Sequence, residues 1–378
     1  MVGIKHSTTK TSGERGYANE WNADHVINGN VDFNQYQALQ LVAENRTDFP
    51  AGPVEGQIVY RSDQHTFYHW NGTVWVAIQG PATVVVAADG SGMTTDIQEG
   101  IDMLPVGGGV VYIKEGTYTV TSSITIDKDN VAIMGAGKST KIVTGLDIAI
   151  FHPVSHDFLL FSDFWIYGSG NGKTSNYGIY LQSCDHCSIK GVYFENCGAA
   201  CVYLYVSHYA LVSENFFSNN WDIGIEAYSC WIPIVSNNIM DTITNHGVYF
   251  HFGTGWGTIA DNNFYYVDGH NIWLEENSGL TIVSGNSIGR FMFGSEPVRD
   301  GIRVENNSDT NVIVNNTVEG KKGYGINIVD NTCDKNMIMN NIVLTNLLGQ
   351  INDAGTNTQP NGVRGTHALA LDDLNIIT

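Results

Sequence analysis

The sequence has little charge, little proline and no long apolar run. Only 15% of its 378 residues are charged, and 38 acidic against 18 basic residues give a formal net charge of -20. This shortage of lysine and arginine excludes the basic surface that duplex nucleic acid or an anionic membrane requires. No apolar run approaches the roughly 20 residues of a membrane span. We therefore expect neither nucleic-acid binding nor membrane insertion.

Cysteine is also scarce, since six residues in a chain of this length are too few for a disulfide scaffold. Four of them lie between Cys184 and Cys201, and Cys184 and Cys187 have the spacing of a metal-binding pair. The second pair is spaced differently, and Cys184 aligns with Ser207 and Cys230, as small residues at a turn would. We favour the turn and predict no metal site, with bound metal as the alternative.

The N-terminus lacks the apolar core of a secretory signal in residues 1–10. We expect no signal peptide, so a role outside a cell would require another route of export. By contrast, 42 glycines and only 8 prolines suit short strands and tight turns. This composition favours an all-β fold.

What the sequence does contain is an internal repeat of about 23 residues. A four-residue segment of GIxL type recurs at spacings of 23, 23, 23, 24, 30 and 24 residues. A second column of asparagines stands between β-type segments in each repeat. The seven GIxL segments begin at Gly178, Cys201, Gly224, Gly247, Asn271, Gly301 and Gly325, and the asparagines are Asn215, Asn238, Asn263, Asn286, Asn316 and Asn341.

This period with three strands per repeat predicts a single-stranded parallel β-helix of about ten coils, stacked at about 4.8 Å. Asparagine tolerates left-handed backbone geometry, and its amide can bind the asparagine of the next coil, so the column predicts an asparagine ladder. Thr95 or Asp96 can cap a short helix whose Ile97, Ile101 and Leu104 cover the open end of the core.

The repeats resemble right-handed parallel β-helix proteins of the pectate lyase superfamily over roughly residues 81–350, and the resemblance includes a first coil at residues 88–92, 97–102, 107–113 and 115–118. The N-terminal region differs: residues 17–27 resemble a segment of bacteriophage tail and fibre proteins, and Asn71–Gly72 predicts a hairpin. We therefore predict a small β-rich, virion-attachment-like extension at 1–80, the β-helix with its capping helix at 81–350, and a C-terminal tail at 351–378. An ordinary β-rich extension is the alternative for 1–80.

Aromatic residues crowd the outward face of the GIxL strands, because the strand period of two sends alternate side chains outward. Exposed aromatic surface marks a binding site, so we interpret this face as a glycan groove. The alternatives are a subunit interface and β-propensity alone. The two outward columns are Tyr180, Tyr203, Glu226, Tyr249, Trp273, Arg303 and Asn327, and Gln182, Tyr205, Tyr228, His251, Glu275, Glu305 and Val329.

The coil of 30 residues carries about six extra residues around 289–297. This longer turn leads directly into the outward columns. We expect it to form a wall or lid of the groove, and a subunit contact through Phe291 to Phe293 is the alternative.

The resemblance extends to phage tailspikes, which implies a homotrimer on a virion tail or baseplate, or outside the cell after release, that binds and cleaves a polysaccharide. Hydrolysis requires two carboxyl groups, whereas β-elimination from a uronic acid requires a base and a cation. The outward columns offer three glutamates and one arginine without an acidic cluster for Ca²⁺. We therefore favour a glycoside hydrolase without a cofactor. A polysaccharide lyase that uses Ca²⁺, and a non-catalytic glycan adhesin or structural fibre, are the alternatives.

The candidate reaction centre lies where acids, aromatic residues and the long turn coincide. Glu275 and Glu305 follow each other in one column about 5 Å apart, so their repulsion would leave one of them protonated as the acid. We assign these two as acid and partner, with two solvated acids neutralised by Arg303 as the alternative. The remaining candidates are Glu226 as the other partner, His251 or Arg303 as orienting groups, Arg303 as base in a lyase, and Trp273, Tyr249, Tyr203, Tyr205, Tyr228 and Tyr180 as substrate contacts.

Overall fold

The computed structural model describes residues 44–62, 66–78, 82–289, 298–358 and 375–377. Three predicted features lie outside the described residues: the phage-like segment at 17–27, the extra residues at 290–297, and most of the tail at 359–374. The chain divides between residues 79 and 80 into two compact units. Each unit is described by itself.

The first unit contains a four-stranded sheet of β1 (Glu44–Arg46), β2 (Ile58–Arg61), β3 (Thr66–Trp70) and β4 (Trp75–Ile78), paired in that order. The first pair is parallel and the other two are antiparallel. The predicted hairpin at Asn71–Gly72 connects β3 to β4. Its Asn71 side-chain oxygen accepts hydrogen bonds from the N–H groups of Thr73 and Val74 at 3.0 and 2.9 Å, and Gly72 has a φ of 92°.

The second unit is a parallel β-helix whose coils contribute strands to three sheets. Sheet I contains β5 (Thr83–Val86), β6 (Gly109–Ile113), β8 (Val131–Gly135), β10 (Leu160–Ser162), β13 (Ser188–Lys190), β16 (Leu211–Ser213), β19 (Ile234–Ser236), β22 (Thr258–Ala260), β25 (Ile282–Ser284), β28 (Val312–Val314) and β31 (Met337–Met339). Sheet II contains β7 (Gly116–Thr119), β9 (Thr140–Val143), β11 (Trp165–Tyr167), β14 (Tyr193–Glu195), β17 (Phe216–Asn220), β20 (Ile239–Ile243), β23 (Asn263–Val267), β26 (Ser287–Ile288), β29 (Thr317–Glu319), β32 (Ile342–Leu344) and β34 (Ile376–Ile377).

Sheet III is formed by the GIxL strands and carries the predicted groove on its outward side. The predicted all-β parallel β-helix with three strands per coil is confirmed, and sheets I and II contain eleven strands each where about ten coils were expected. The strands of sheet III are β12 (Ile179–Gln182), β15 (Val202–Tyr205), β18 (Ile225–Tyr228), β21 (Val248–His251), β24 (Ile272–Leu274), β27 (Ile302–Val304), β30 (Tyr324–Ile328) and β33 (Gly349–Asp353).

A short helix covers the first coil, as predicted. Helix α1 (Ile97–Asp102) begins after Asp96, whose side chain accepts a hydrogen bond from the N–H of Glu99 at 2.9 Å. Ile97, Ile101 and Leu104 are buried against the core. The core behind them is a continuous stack of inward residues from the three sheets, because the strand period of two buries every second side chain.

The asparagine ladder is present, but one predicted rung is wrong by one residue. Asn262, not Asn263, occupies the rung: its Oδ1 accepts from Asn238 Nδ2 at 2.9 Å, and its own Nδ2 donates to Asn286 at 3.0 Å. Asn263 is instead the first residue of β23 and pairs with Ile239. The two neighbours are the same residue type, so only the strand register distinguishes them. The rungs are Asn215, Asn238, Asn262, Asn286, Asn316, Asn341 and Asn375.

The β-helix continues past the predicted boundary at residue 350. Strand β33 pairs with β30 in sheet III, and β34 pairs with β32 in sheet II. Asn375 extends the asparagine ladder by one rung, since its Oδ1 accepts a hydrogen bond from Asn341 Nδ2 at 3.1 Å. Part of the segment predicted as a tail therefore belongs to the last coils.

Candidate functional site

The two outward columns run along sheet III in the predicted register. In the first column, Tyr180 pairs with Tyr203, Tyr203 with Glu226, and Glu226 with Tyr249 on the next coil. The column continues through Trp273 to Arg303. In the second column Tyr205 and Tyr228 lead to His251, with Glu275 and Glu305 just beyond the ends of β24 and β27. Every candidate side chain thus belongs to one face.

Aromatic rings stack along this face from coil to coil. Ring centroids are 4.9 Å apart for Tyr180 and Tyr203, 5.0 Å for Tyr205 and Tyr228, and 4.4 Å for Tyr249 and Trp273. These stacks have interplanar angles of 20 to 29°. Neighbouring rings therefore cover much of each other's faces, so a bound glycan would meet mainly ring edges and hydroxyl groups.

Four residues form a central cluster on this face: Glu226, His251, Tyr249 and Glu275. His251 Nε2 lies 3.1 Å from Glu226 Oε1, and the Tyr249 hydroxyl donates a hydrogen bond to Glu275 Oε2. The rings of Tyr249 and His251 stack at 4.1 Å with an interplanar angle of 12°. The cluster consequently brings two carboxylate–donor pairs into direct contact.

The environment of the cluster keeps Tyr249 protonated. Burial raises the pKa of Tyr249 well above its usual range, and the hydrogen bond to Glu275 raises it further. Glu275 also accepts a hydrogen bond from Asn306 Nδ2 at 3.0 Å on its other oxygen. Both oxygens of Glu275 are therefore held by donors from neutral side chains.

Glu305 belongs to a separate network around Arg303. Arg303 donates to both oxygens of Glu305 at 2.8 and 2.6 Å, and through Nη1 to Asp300 Oδ2 at 3.0 Å. Trp273 Nε1 also donates to Glu305, at 2.7 Å. Burial acts to lower the pKa of Arg303, but hydrogen bonds and charges of Glu305 and Asp300 outweigh it and raise that pKa.

Glu275 and Glu305, which we predicted to form a pair, instead belong to two separate hydrogen-bond networks. Each carboxylate has its own donors, and Glu305 is buried with its charge neutralised by Arg303 rather than solvated. Such a bidentate arginine contact is strong and directional. The structure thus brings Glu275 together with Tyr249, and Glu226 with His251, while it holds Glu305 beside Trp273 and Arg303.

Sequence reasoning missed Asp222, which lies two residues before the GIxL segment of its coil. Burial raises the pKa of Asp222, a hydrogen bond from Asn245 opposes this shift, and the charge of Glu226 adds to it. Asp222 is thus a buried carboxyl group beside the charge of Glu226. The repeat gives no signal for it, because the equivalent positions of the other coils are Asn176, Ala199, Asn245, Gly269, Arg299 and Gly323.

Sequence reasoning also missed His246 and His270, although the column of residues immediately before the GIxL segments contains both of them on consecutive coils. Their rings stack at 5.3 Å, and both contact the ring of Trp273. His246 Nδ1 accepts the N–H of His270, and His270 Nδ1 accepts the N–H of Asp300, each at 3.0 Å. A ring nitrogen that accepts carries no proton, so each neutral ring has its proton on Nε2. Burial is the main cause that lowers the pKa of His246 to about 3 and of His270 to about 2.

The six cysteines are free and buried. Cys184, Cys187, Cys197 and Cys201 line the core, as the turn and strand alignment favoured. Burial raises the pKa of Cys187 to about 12, which disfavours the thiolate that binds metal. Within the described ranges no group of three or more histidine, cysteine or acidic side chains is placed to hold a metal ion. The described part of the chain also has no helix that is long and apolar enough to cross a membrane.

Comparison with known families agrees with the fold. The family profile for a right handed beta helix region matches residues 177–346, and a pectinesterase profile matches residues 83–157. A probable pectinesterase/pectinesterase inhibitor 12 of Arabidopsis thaliana is 32% identical over 90 residues, which is 23% of this chain and 16% of that protein. Probable pectinesterase 56 of the same plant is 35% identical over 72 residues, 18% of this chain and 25% of that protein. The chain thus spans a quarter or less of these relatives.

Solved structures extend the similarity over most of the β-helix. The ORF18 protein of Geobacillus virus E2 has a TM-score of 0.58 at 16% identity, covering 82% of this chain and 70% of that one. The A-module of a mannuronan C-5 epimerase of Azotobacter vinelandii has a TM-score of 0.57 at 16% identity, covering 65% of this chain and 72% of that one. At these identities the similarity establishes the right-handed parallel β-helix alone.

Proposed function

We propose, from the premise that this chain is a right-handed parallel β-helix of the pectate lyase type, that it binds a polysaccharide along sheet III and hydrolyses it. The observation that carries the proposal is the central cluster of Glu226, His251, Tyr249 and Glu275 on a face of stacked aromatic rings. Glycoside hydrolysis requires two carboxyl groups that flank the glycosidic bond, and this cluster supplies two.

The proposal assigns the two carboxyl groups to Glu226 and Glu275. Glu275, with donors on both oxygens, is suited to act as the base or nucleophile. Glu226 contacts His251 through Oε1, and its Oε2 has no partner within the described part of the chain. That free oxygen can approach a glycosidic oxygen, so Glu226 is the proposed proton donor, with His251 as the group that orients it.

Trp273, Arg303 and Glu305 have a positioning role in this proposal. Glu305 holds Trp273 Nε1 and is itself clamped by Arg303, which keeps the indole ring in place against Tyr249. Substrate contacts are proposed along the same face, at Tyr180, Tyr203, Tyr205, Tyr228, Tyr249 and Trp273.

Hydrolysis is favoured over β-elimination by the state of Arg303. Elimination from a uronic acid requires a base, together with a cation that neutralises the substrate carboxylate. The guanidinium of Arg303 already binds Glu305 and Asp300, so it is available for neither task. A lyase would therefore depend on a cation such as Ca²⁺ from solution.

The test is the pair of substitutions Glu226→Gln and Glu275→Gln on a panel of neutral and uronic-acid polysaccharides. Each change keeps the shape and should lower the rate of reducing-end release by about a hundredfold or more, while glycan binding persists. Glu195→Gln, which removes a half-buried carboxylate from sheet II, is the matched control and should retain activity.

Three outcomes would contradict this proposal. Full activity in both variants would exclude the assigned pair and return attention to Glu305 and Asp222. Products with the ultraviolet absorbance of an unsaturated uronate would indicate a lyase. Binding without cleavage by the unmodified protein would indicate a glycan adhesin.

The place of action is part of the same proposal. The resemblance of residues 17–27 to phage tail proteins supports a virion tail or baseplate, or the extracellular space after release, with the chain as a homotrimer. Mass spectrometry of purified virions that encode this chain checks the location, and absence of the chain from them would contradict it.

A further inference from the structure

A ridge of large apolar side chains runs along the turn that leads from sheet III to sheet I. Its residues occupy the same turn position on successive coils, because each donates its N–H to the turn of the next coil. All of them have φ between 56 and 58°. The ridge consists of Phe158, Tyr209, Ile232, Trp256 and Leu280, with Trp231 beside it. His186 occupies the equivalent position on the coil between Phe158 and Tyr209, so Phe158 and Leu280 are five coil steps apart.

This backbone conformation does not favour such residues. The left-handed region suits glycine, asparagine and aspartate, and it is costly for bulky or β-branched side chains. The turn from sheet I to sheet II offers an internal comparison, since its left-handed positions have nearly the same φ, from 55 to 59° at the non-glycine residues. Those positions are Asp163, Gly191, Glu214, Asn237, Asp261, Gly285, Asn315 and Asn340. Backbone geometry therefore does not explain the apolar ridge.

The ridge is exposed to solvent to an extent that is unusual for apolar residues. Trp256 is 64% exposed, Trp231 60% and Phe158 55%. With about 200 Å² for a whole aromatic side chain, and with Ile234 and Ile282 of the adjoining sheet I included, the apolar area is on the order of 650 Å². Monomers rarely expose patches above about 300–600 Å², whereas a stable interface buries roughly 600–1,000 Å² per partner.

The middle of the ridge also lacks charge. Residues 206–213, 229–238 and 252–260, which form this turn and the sheet I strands of three consecutive coils, contain no aspartate, glutamate, lysine or arginine. Charged residues lie at its two ends, where Asp157 precedes Phe158 and where Glu275 and Glu276 begin the turn of Leu280. Elsewhere two copies of a chain with a net charge of -20 would repel each other. The middle of the ridge, from Tyr209 to Trp256, is where two copies can approach without bringing carboxylates together.

We propose that the ridge is the contact surface between copies of this chain in a closed homo-oligomer. Five coil steps at about 4.8 Å make the ridge roughly 24 Å long, parallel to the coil axis. A rotation axis parallel to the coils therefore brings the same residues of each copy together. The arrangement leaves the outward face of sheet III open, and it does not depend on the proposed hydrolase activity.

A second copy fits this surface better than a glycan does. The rings of Phe158, His186 and Tyr209 stack on one another at 5.1 and 4.6 Å, and together they form a continuous strip that a second copy can cover. The uncharged segments also provide few of the converging polar groups that sugar hydroxyls require.

The test is the molar mass of the full chain in solution, measured by light scattering at micromolar concentration. We expect the unmodified protein to have the mass of two or more chains of 41.3 kDa each. The double variant Tyr209→Asp, Trp256→Asp should have the mass of one chain. Aspartate tolerates the left-handed conformation and places like charges in the contact. The control Thr310→Asp, Lys335→Asp changes two residues with the same positive φ that lie beyond the ridge, and should keep the oligomer.

Cross-linking is a second measurement, which tests the proposal even if the double variant fails to fold. The six native cysteines are buried, so Trp256→Cys introduces a single accessible thiol, and a short bismaleimide should link the copies through it. A monomeric unmodified protein, an unchanged mass in a folded double variant, or no cross-link at position 256 would each overturn the proposal. If the unmodified protein is a monomer and the double variant loses glycan binding, the ridge is a carbohydrate site and the proposed contact between copies is wrong.

Discussion

Replacing Asn262 with alanine should destabilise the protein far more than the same change at its neighbour Asn263. Asn262 is buried, and its side chain takes part in four hydrogen bonds of 2.9 to 3.0 Å, to Asn238, Asn286 and Val235. Alanine removes the partner of two donors of Asn238 and of the Val235 carbonyl oxygen in the core, whereas Asn286 Oδ1 still accepts from the backbone N–H of residue 262. The Asn263 side chain donates one bond, to the Tyr265 hydroxyl at 3.3 Å, and its Oδ1 has no partner among the described residues.

The magnitude follows from the unpaired groups. Each buried polar group that loses its partner costs about 1–3 kcal/mol, and partial relaxation of the turn makes these terms less than additive. We expect a loss of about 4 kcal/mol for Asn262→Ala, against a change within about 0.5 kcal/mol for Asn263→Ala. For a chain of this size about 2 °C per kcal/mol applies, so the melting temperature of Asn262→Ala should fall by about 8 °C.

The assay is thermal unfolding at one fixed scan rate, because a long repeat protein can unfold irreversibly. Asn263→Ala is the matched control, with the same side chain removed one residue away. A melting temperature that falls as much for Asn263→Ala as for Asn262→Ala would refute the assignment of the rung and the strand register that it depends on.

Two further predictions concern the neighbourhood of Trp273. Trp273→Ala should weaken binding of a cleavable glycan by about 1–3 kcal/mol in calorimetry, whereas Trp273→Phe, which keeps a ring, should lose less; equal losses would argue against an aromatic contact. His246 and His270 are neutral in the folded chain down to about pH 3 and 2, but an unfolded histidine gains its proton near pH 6.5. The unfolded state therefore binds more protons as pH falls below about 6.5, and stability is lost over that range. His246→Asn keeps an acceptor for the N–H of His270, so its free energy of unfolding should fall less between pH 7 and pH 4.5 than that of the unmodified protein; an identical loss would contradict a buried neutral His246.

The repeat in the sequence was sufficient to predict the fold, because the length of a repeat determines how the coils stack and the strand period determines which side chains point outward. The 23-residue spacing placed Tyr249 below Trp273 and above Glu226, and the strand period of two sent these side chains outward. Stacking of equivalent residues is a property of the backbone ladder, so register along sheet III could be read without coordinates. The hairpin at Asn71–Gly72 and the helix cap at Asp96 were predictable for a similar reason, since local residue types determine them.

Only the tertiary structure decided which partner each outward side chain meets. Glu275 and Glu305 share a column, yet side-chain torsions take one to Tyr249 and Asn306 and the other to Arg303 and Trp273. Periodicity contains no information about these torsions. It also could not separate Asn262 from Asn263, because two identical neighbours satisfy the same pattern, and the turns between strands vary in length from coil to coil.

Burial is the other quantity that the sequence left open. His246, His270 and Asp222 have altered pKa values because the turns between sheets II and III enclose them, and an isolated histidine or aspartate in the sequence gives no sign of that. Trp256 and Trp231 would be expected in a core, yet they lie exposed on the ridge. The sequence therefore determined the β-helix and the residues of each face, whereas three-dimensional packing decided which of those residues are paired, enclosed or free to meet another molecule.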